Sequence, residues 1–199
     1  GAINNLRADK EFQDAILAEG IRIYMPTTQE WNTEQQQQLK EVSIEDLLPR
    51  DEISIDMESV GAMLHSKRIL ITGSAGSIGS EMVRQIAKYS PAELILIDSA
   101  ETPQHDIRLM MAKQFPDIKA ETIVTTICSK SRMEHIFKTY LPDYVFHAAA
   151  YKHVPMMENN PCESIQNNVY GTKILADLAV KYGVKKFVMI STDKAVNPT

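Results

Sequence analysis

A glycine-rich run between an apolar segment and a helical pattern constrains the fold of this 199-residue chain more than any other feature. Residues 68–72 read as a short apolar strand, residues 73–79 read GSAGSIG, and residues 77–89 carry apolar side chains at helical spacing. In such a unit the first glycine permits a tight turn, the second lets a pyrophosphate approach the backbone, and the third lets the helix pack closely on the strand. Free N–H groups and the positive end of the helix dipole then face the phosphates. The loop residues predicted to bind a nucleotide cofactor are Gly73, Ser74, Gly76, Ser77, Ile78 and Gly79.

Apolar segments alternate with helical patterns throughout residues 67–199. Strands are predicted over residues 68–72, 94–97, 122–127, 144–147 and 186–190, and helices over 77–89, 102–115, 131–140 and 164–182. This alternation predicts βαβ units, a parallel sheet and right-handed crossovers. Because the strands are apolar runs, both faces of the sheet are expected to be covered. The predicted fold class is therefore α/β, a Rossmann-like doubly wound parallel sheet.

The charge is distributed unevenly and divides the chain into two predicted units. Residues 1–66 contain 13 acidic and 5 basic side chains, whereas residues 67–199 contain 13 acidic and 16 basic ones. The first unit is predicted to be an N-terminal segment and connector with a small α/β appendage, and the second to be the nucleotide-binding domain. Its slight positive charge suits a phosphate-bearing small ligand and is too weak to favour nucleic acid.

Composition excludes several other classes of protein. Hydrophobic residues make up 44% and charged residues 24% of the chain, as in ordinary globular proteins. No segment approaches the ~20 apolar residues of a membrane span, and the chain does not begin with a secretory signal pattern. Cys128 and Cys162 are the only cysteines and have no metal-ligand spacing, so neither a disulfide framework nor a metal site is expected. We predict a reducing, cytoplasmic location.

Two further segments are predicted to contact the cofactor. Asp98 ends the second strand, 19 residues after Gly79, where a carboxylate accepts hydrogen bonds from the adenosine ribose. The same carboxylate would repel a 2′-phosphate, so the sequence favours NAD over NADP. Ala148, Ala149 and Ala150 follow the fourth strand, and their small side chains allow the backbone to approach the cofactor.

Four stretches within residues 67–199 resemble one family in their order and spacing. They are ITGSAGSIGSE at 71–81, FHAAAYKHVP at 146–155, NVYGT at 168–172 and STDKAVNPT at 191–199. In these stretches the chain resembles the CapD-like polysaccharide-biosynthesis proteins, a group of nucleotide-sugar 4,6-dehydratases in the extended short-chain dehydrogenase/reductase superfamily. The group includes the membrane-anchored UDP-N-acetylglucosamine 4,6-dehydratases.

The resemblance implies a dehydration that is redox-neutral overall. Hydride leaves C4 of the sugar for NAD(P)⁺, water is eliminated across C5–C6, and hydride returns to C6, giving a 4-keto-6-deoxy product. By resemblance Asp193 protonates the departing C6 hydroxyl, Lys194 removes the C5 proton, and Thr192 hydrogen-bonds the C4 oxygen. Lys152 and His153 are predicted to line the sugar site. The resemblance also suggests that Asn168 bridges the long helix to the fourth strand.

The resemblance further implies that the chain is the cofactor-binding part of a longer protein. The family's MxxxK or YxxxK pair and its sugar-binding region would follow Thr199, so the chain alone is expected to be inactive. Tyr182 and Lys186 have the spacing of that pair, but Gly183 interrupts the helix between them and they precede the fifth strand. The full protein is expected to bind a nucleotide-diphosphate sugar, to form a homo-oligomer and to be anchored to the inner membrane by upstream helices.

Two other functions stay open from the sequence. A nucleotide-sugar 4-epimerase uses the same fold but does not need the elimination pair Asp193–Lys194. A noncatalytic NAD-binding sensor or scaffold would need neither the pair nor Thr192.

Overall fold

The computed structural model describes residues 56–191 together with two short strands nearer the N-terminus. These strands are β1 (Tyr24–Pro26) and β2 (Leu39–Glu41), and they pair antiparallel with Tyr24 opposite Glu41. The chain divides into two compact units, Gly1–Ile55 and Asp56–Thr199. The division thus falls before Asp56, whereas the sequence predicts a boundary before Lys67.

The second unit alternates strands and helices as predicted. Its strands are β3 (Arg68–Thr72), β4 (Glu93–Asp98), β5 (Ala120–Val124), β6 (Tyr144–His147) and β7 (Lys186–Met189). Its helices are α1 (Met57–Leu64), α2 (Ser77–Ala87), α3 (Glu101–Gln114), α4 (Lys130–Tyr140), α5 (Val154–Glu158), α6 (Pro161–Ser164) and α7 (Thr172–Lys181), with a π-helix (Ile165–Gly171) between α6 and α7. Among the described residues no helix has both the length and the apolarity needed to cross a bilayer.

The five strands of this unit form one parallel sheet in the order β5-β4-β3-β6-β7. The chain runs outward from β3 through β4 to β5, and then crosses to the other side of β3 for β6 and β7. This confirms the Rossmann-like parallel sheet. In open sheets of this kind, ligands bind beyond the carboxyl ends of the strands at the point where the order reverses. Here that point lies between β3 and β6.

Alternate side chains of the central strands build a separate core on each face of the sheet. Leu70, Ile95 and Ile97 pack on one face with the apolar sides of α4 and α7. Ile69 and Ile71 pack on the other face with residues of α1, α2 and α3. Because both faces are covered, the strands are apolar throughout instead of alternating with polar residues.

Helix α1 belongs to the sheet unit, although the sequence assigns it to the N-terminal segment. Asp56 caps the helix, since its Oδ1 accepts hydrogen bonds from the backbone N–H groups of Glu58 and Ser59, both at 3.1 Å. Leu64 at the other end is buried in the same core as Ile69 and Ile71. The apolar face of α1 is thus covered by the sheet unit.

The third strand of the sheet begins and ends earlier than its sequence predicts. The apolar pattern predicts a strand over residues 122–127, but β5 pairs with β4 only over Ala120–Val124. Ile127 lies beyond the strand and is 97% buried in the core beneath α4 and α7. Its apolar character therefore reflects packing after the strand, which the periodicity cannot distinguish from a strand residue.

Candidate functional site

A pocket of about 240 Å³ lies at the carboxyl edge of the sheet, where the strand order reverses. The glycine loop and the segments that follow β4, β5 and β6 line this pocket, with one residue contributed by the π-helix. The lining residues are Gly73, Ala75, Gly76, Ile97, Asp98, Ser99, Ala100, Pro103, Thr125, Thr126, Ile127, Ala148, Ala149, Ala150, Tyr151 and Asn167. These lining residues, all from the described part of the chain, include no lysine or arginine.

The three glycines of the loop meet different neighbours. Gly73 has a φ of +70°, and an added Cβ would lie 2.6 Å from the backbone carbon of Ala148, so the turn needs glycine on both counts. A Cβ on Gly79 would lie 1.9 Å from the carbonyl oxygen of Gly73, so Gly79 allows α2 to approach the loop itself. A Cβ on Gly76 would meet only that same carbonyl, at 3.3 Å, and Gly76 is exposed at the pocket. The protein's own packing thus demands Gly73 and Gly79 far more strictly than Gly76.

Hydrogen bonds within the protein occupy the first N–H groups of the loop. Ser74 donates to the carbonyl of Ile97 at 3.2 Å, Ala75 to Oδ2 of Asp98 at 3.0 Å, and Gly76 to the carbonyl of Gly73 at 3.1 Å. The next three N–H groups have no acceptor in the described part of the chain; they belong to Ser77, Ile78 and Gly79. These N–H groups belong to the first turn of α2, at the positive end of the helix dipole. This arrangement can bind a phosphate group.

The carboxylate of Asp98 connects the glycine loop to the end of β4. Its Oδ2 accepts from the N–H of Ala75, and its Oδ1 accepts from the N–H of Ala100 at 2.9 Å. Asp98 is half-buried and lines the pocket. Each carboxylate oxygen has a further lone pair for a ligand, so Asp98 can accept the hydroxyl groups of a ribose.

Segments after β5 and β6 form the other walls of the pocket. Thr125, Thr126 and Ile127 follow β5, and Ala148–Ala150 follows β6. The Thr126 hydroxyl accepts a hydrogen bond from the N–H of Cys128 at 3.2 Å and thereby closes the turn after β5. The alanines bring backbone to the pocket wall, and their contact with a cofactor stays a prediction.

The π-helix carries two consecutive asparagines toward the segment after β6. Asn168 holds the backbone of Tyr151 from both sides, accepting from its N–H and donating to its carbonyl, each at 2.9 Å. Asn167 lines the pocket and donates to the carbonyl of Ala149 at 3.3 Å. Asn168 therefore links the long helical segment to the chain that leaves β6, as the sequence predicts. A continuous helix over residues 164–182 was expected, and the structure interrupts it with this π-turn.

A buried histidine links three elements behind the pocket. Nδ1 of His147 lies 2.7 Å from the hydroxyl of Thr72, and Nε2 lies 2.8 Å from the hydroxyl of Thr172. Because Thr172 donates to the carbonyl of Asn168, Nε2 must carry the proton and donate to Thr172, and Nδ1 then accepts from Thr72. Burial lowers the pKa of His147 from 6.5 to about 4, so the ring is neutral near pH 7. The histidine is a structural link, as its lack of ligand spacing suggests.

The remaining predicted site residues lie apart from this pocket or outside the described residues. Ser74 is fully buried, and its hydroxyl donates to Oε1 of Gln104 at 2.8 Å and not toward the pocket. Lys152 and His153 are exposed on the segment between β6 and α5. The predicted catalytic residues fall outside the described residues: Thr192, Asp193 and Lys194. Within the described ranges no three metal-ligating side chains converge.

Several pocket residues are not predicted by the sequence patterns. Ser99 and Ala100 follow β4, Thr125 follows β5, and Asn167 belongs to the π-helix. Every strand of a parallel sheet ends at the same edge, so the residues just after each strand were findable from the predicted topology. Asn167 had no such signal, because its position depends on the π-turn.

Known proteins match the chain along most of its length. A capsular polysaccharide biosynthesis protein CapD from Staphylococcus aureus is 44% identical over 81% of this chain, which corresponds to 27% of that protein. A UDP-N-acetylglucosamine 4,6-dehydratase (inverting) from Campylobacter jejuni serotype O:2 is 36% identical over 68% of this chain and 39% of its own length. The chain thus spans between about a quarter and two fifths of the length of these relatives.

Solved structures match about two thirds of the chain. The UDP-glucose 4-epimerase of Thermotoga maritima, solved with UDP-glucose, has a TM-score of 0.55 and 30% identity, covering 64% of this chain and 38% of that one. The enzyme WbmG of Bordetella bronchiseptica, solved with NAD, has a TM-score of 0.54 and 27% identity, covering 65% of this chain and 38% of that one. These likenesses agree with the short-chain dehydrogenase/reductase type of Rossmann fold.

A family model described as polysaccharide biosynthesis protein matches residues 69–199, which include the glycine loop, Asp98 and the whole pocket. The matched range is about two thirds of the chain and begins one residue inside β3. The chain therefore belongs to the polysaccharide biosynthesis protein family.

Proposed function

We propose that residues 67–199 form the cofactor-binding part of a nucleotide-sugar 4,6-dehydratase that uses NAD. The observation that carries this proposal is that two features lie side by side at the carboxyl edge of neighbouring strands. The glycine loop after β3, with Gly73 and Gly76 at the pocket, leads into the first N–H groups of α2, and Asp98, also at the pocket, ends the neighbouring strand β4. A dinucleotide has a pyrophosphate for the first feature and a ribose for the second.

The residues fit the cofactor in charge as well as in shape. The first turn of α2 and the exposed Gly76 would hold the pyrophosphate, since a side chain at Gly76 would obstruct it. Asp98 would accept hydrogen bonds from the adenosine ribose, and residues 125–127 would form the wall beside the adenine. The described residues that line the pocket include one carboxylate and no cationic side chain, so they would repel a 2′-phosphate. NAD is therefore favoured over NADP.

The catalytic groups follow β7, the strand next to β6 in the sheet. Asp193 serves as the acid for the C6 hydroxyl, Lys194 as the base for the C5 proton, and Thr192 as the hydrogen-bond donor to the C4 oxygen. The nicotinamide of NAD would supply the reversible uptake of hydride when bound, so the overall reaction would lose only water. Lys194 needs a pKa below its reference value of ~10.4 to act as a base, which desolvation at a closed site would supply. These roles rest on the family resemblance of residues 191–199.

The substrate proposed for the full-length protein is UDP-N-acetylglucosamine. Support comes from the 36% identity to the Campylobacter jejuni dehydratase whose name specifies that sugar nucleotide. The exposed Lys152 and His153, at the carboxyl edge of β6, are proposed to contact the sugar or its diphosphate. Assembly into a homo-oligomer and anchoring by helices upstream of this chain are further parts of the proposal.

A 4-epimerase is the second candidate function, favoured by the likeness to the Thermotoga maritima enzyme. An epimerase removes and returns hydride at C4 and has no elimination step, so Asp193 and Lys194 would be dispensable. Turnover of UDP-N-acetylglucosamine by the full-length protein separates the two functions. Replacing Asp193 by Asn and Lys194 by Met should abolish a dehydratase but leave an epimerase active. A noncatalytic NAD-binding protein would show no turnover before or after the replacements.

Calorimetric titration of the nucleotide-free chain with NAD⁺ and then NADP⁺ tests the cofactor site directly. We expect NAD⁺ to bind at least tenfold more tightly than NADP⁺, equivalent to about 1.4 kcal/mol. Asp98→Asn should weaken NAD⁺ binding and reduce this preference, because the charge that repels the 2′-phosphate is removed. Asp106→Asn, an exposed carboxylate on α3 outside the pocket, is the matched control and should leave both affinities unchanged. A folded chain that binds neither nucleotide would contradict the proposal.

A further inference from the structure

A buried amide side chain lies directly behind the glycine loop. Gln104 belongs to the second turn of α3, is only 1% exposed, and is not among the residues that line the pocket. Its Oε1 accepts a hydrogen bond from the hydroxyl of Ser74 at 2.8 Å, and its Nε2 donates to the carbonyl of Leu96 at 2.7 Å. One amide thus joins the glycine loop, helix α3 and strand β4.

The loop is attached to the β4–α3 corner at two successive residues. Ser74 makes two of the bonds, through its hydroxyl to Gln104 and through its N–H to the carbonyl of Ile97. Ala75 makes the third, through its N–H to Asp98. Within the described chain, Gln104 is the partner that reaches the loop from the side away from the pocket, so it acts on the loop without touching a ligand.

We propose that Gln104 is a positioning residue for the pyrophosphate half of the pocket. The inference rests on the proposed nucleotide binding. By holding Ser74, Gln104 fixes the course of the loop and hence the direction of the N–H groups that begin α2. Without the amide, the buried Ser74 hydroxyl is left without its partner and the Leu96 carbonyl loses one hydrogen bond, so the loop must shift to solvate Ser74.

A double-mutant cycle on the 199-residue chain tests this role. Gln104→Met keeps the length and volume of the side chain but removes both hydrogen bonds, and Ser74→Ala removes only the hydroxyl. We expect each change to weaken ADP-ribose and NAD⁺ binding by about tenfold, the value of one buried hydrogen bond. The double variant should bind these nucleotides within about twofold of the single variant that has the lower affinity, because the two residues act through one contact.

A ligand without the pyrophosphate separates positioning from a general loss of structure. Adenosine, followed by NMR titration, should bind the variants within about twofold of the wild type, because Asp98 and the wall after β5 are retained. Asp143→Asn is the control for stability alone. Asp143 pairs with Lys185 and Arg68 at the opposite edge of the sheet, so this change should lower stability while nucleotide affinity stays the same.

The outcomes separate the inference from the proposed function. A wild-type chain that binds no nucleotide contradicts both. A wild-type chain that binds NAD⁺ with a folded Gln104→Met variant of equal affinity contradicts the inference alone. Equal weakening of adenosine and ADP-ribose, or strict additivity in the cycle, also contradicts it. Should Gln104→Met fail to fold, Ser74→Ala carries the same test through a smaller change.

Discussion

The glycines at the ends of the loop and the glycine in its middle have different physical reasons for lacking a side chain. Gly73 and Gly79 are required by the protein, because a Cβ at either position would overlap backbone atoms of Ala148 or of Gly73. Gly76 has only one tight neighbour, at 3.3 Å, and faces the pocket. The lack of a side chain at Gly76 therefore matters more for ligand binding than for the stability of the fold.

Alanine substitution should separate these two requirements. Gly79→Ala is expected to destabilise the chain by about 3 kcal/mol, because α2 must move away from the loop to relieve the overlap. Gly76→Ala should cost less than about 1 kcal/mol of stability, yet weaken NAD⁺ binding at least tenfold. Urea denaturation measures the first quantity and calorimetry the second. Retention of wild-type affinity by Gly76→Ala would show that the phosphates do not approach this residue.

Single residues at strand ends were also the most predictable part of the site. Gly73, Asp98 and Ala148 could be assigned because each has a local reason, set by the strand that it follows. Gln104 could not be assigned, since its partner Ser74 lies 30 residues away and nothing in either local sequence marks the pair. The sequence predicts that Ser74 helps to bind the cofactor, and the structure directs its hydroxyl into the fold.

At the scale of elements, periodicity identified the strands and helices but not their irregularities. The third strand was placed too late, because Ile127 is apolar for packing reasons. The π-helix was not predicted, because a π-turn has the same apolar pattern as an α-helix over so few residues. It depends on tertiary contacts, such as the close approach of Gly171 to Ile127, where a Cβ would come within 2.6 Å of Cδ1. Such contacts form only when the helix packs on the sheet.

His147 joins β3, β6 and α7, and it should make stability depend on pH. The unfolded chain takes up a proton at this residue with a pKa near 6.5, whereas the folded chain does so only near a pKa of about 4. The contribution of the neutral ring is therefore fully present above pH 6.5 and is lost as the pH falls toward 4. The difference corresponds to about 3 kcal/mol.

Urea denaturation between pH 4 and pH 7 measures this linkage. Wild-type stability should fall across the interval more steeply than that of His147→Gln, which has no group to protonate at this position. The exposed His135 supplies the control, and His135→Gln should keep the wild-type slope. Parallel curves for wild type and His147→Gln would mean that the ring is already charged, or is equally accessible, in the folded chain.

At the scale of the whole molecule, the position of the domain boundary has a measurable consequence. A chain beginning at Asp56 keeps α1 with its capping residue, whereas a chain beginning at Lys67 loses Leu64 and its partly buried neighbours Val60 and Met63. Burial of one leucine contributes about 2 kcal/mol, so the shorter chain should be less stable by about 3 kcal/mol in total. The chain from Asp56 should bind NAD⁺ as tightly as the 199-residue chain.

Urea denaturation of the two shortened chains tests this boundary. Equal stability would show that α1 adds nothing to the sheet unit and would favour the boundary before Lys67. The charge division between residues 1–66 and 67–199 could not reveal the difference, because α1 contributes through apolar contacts and not through its charges. The sequence patterns indicate where the charge and the periodicity of the chain change, whereas the packing of α1 determines where the compact unit begins.

The hydrogen bonds that Ser74, Ala75 and Gly76 make within the protein have a thermodynamic consequence for recognition. Because the donor and the acceptor of each bond both belong to the protein, these bonds restrict the loop and leave it little conformational entropy to lose when a ligand binds. A nucleotide that meets such a template gives up mainly its own freedom of motion. The loop also cannot adjust to a poorly fitting ligand, and it should therefore discriminate among phosphate-bearing molecules by their geometry.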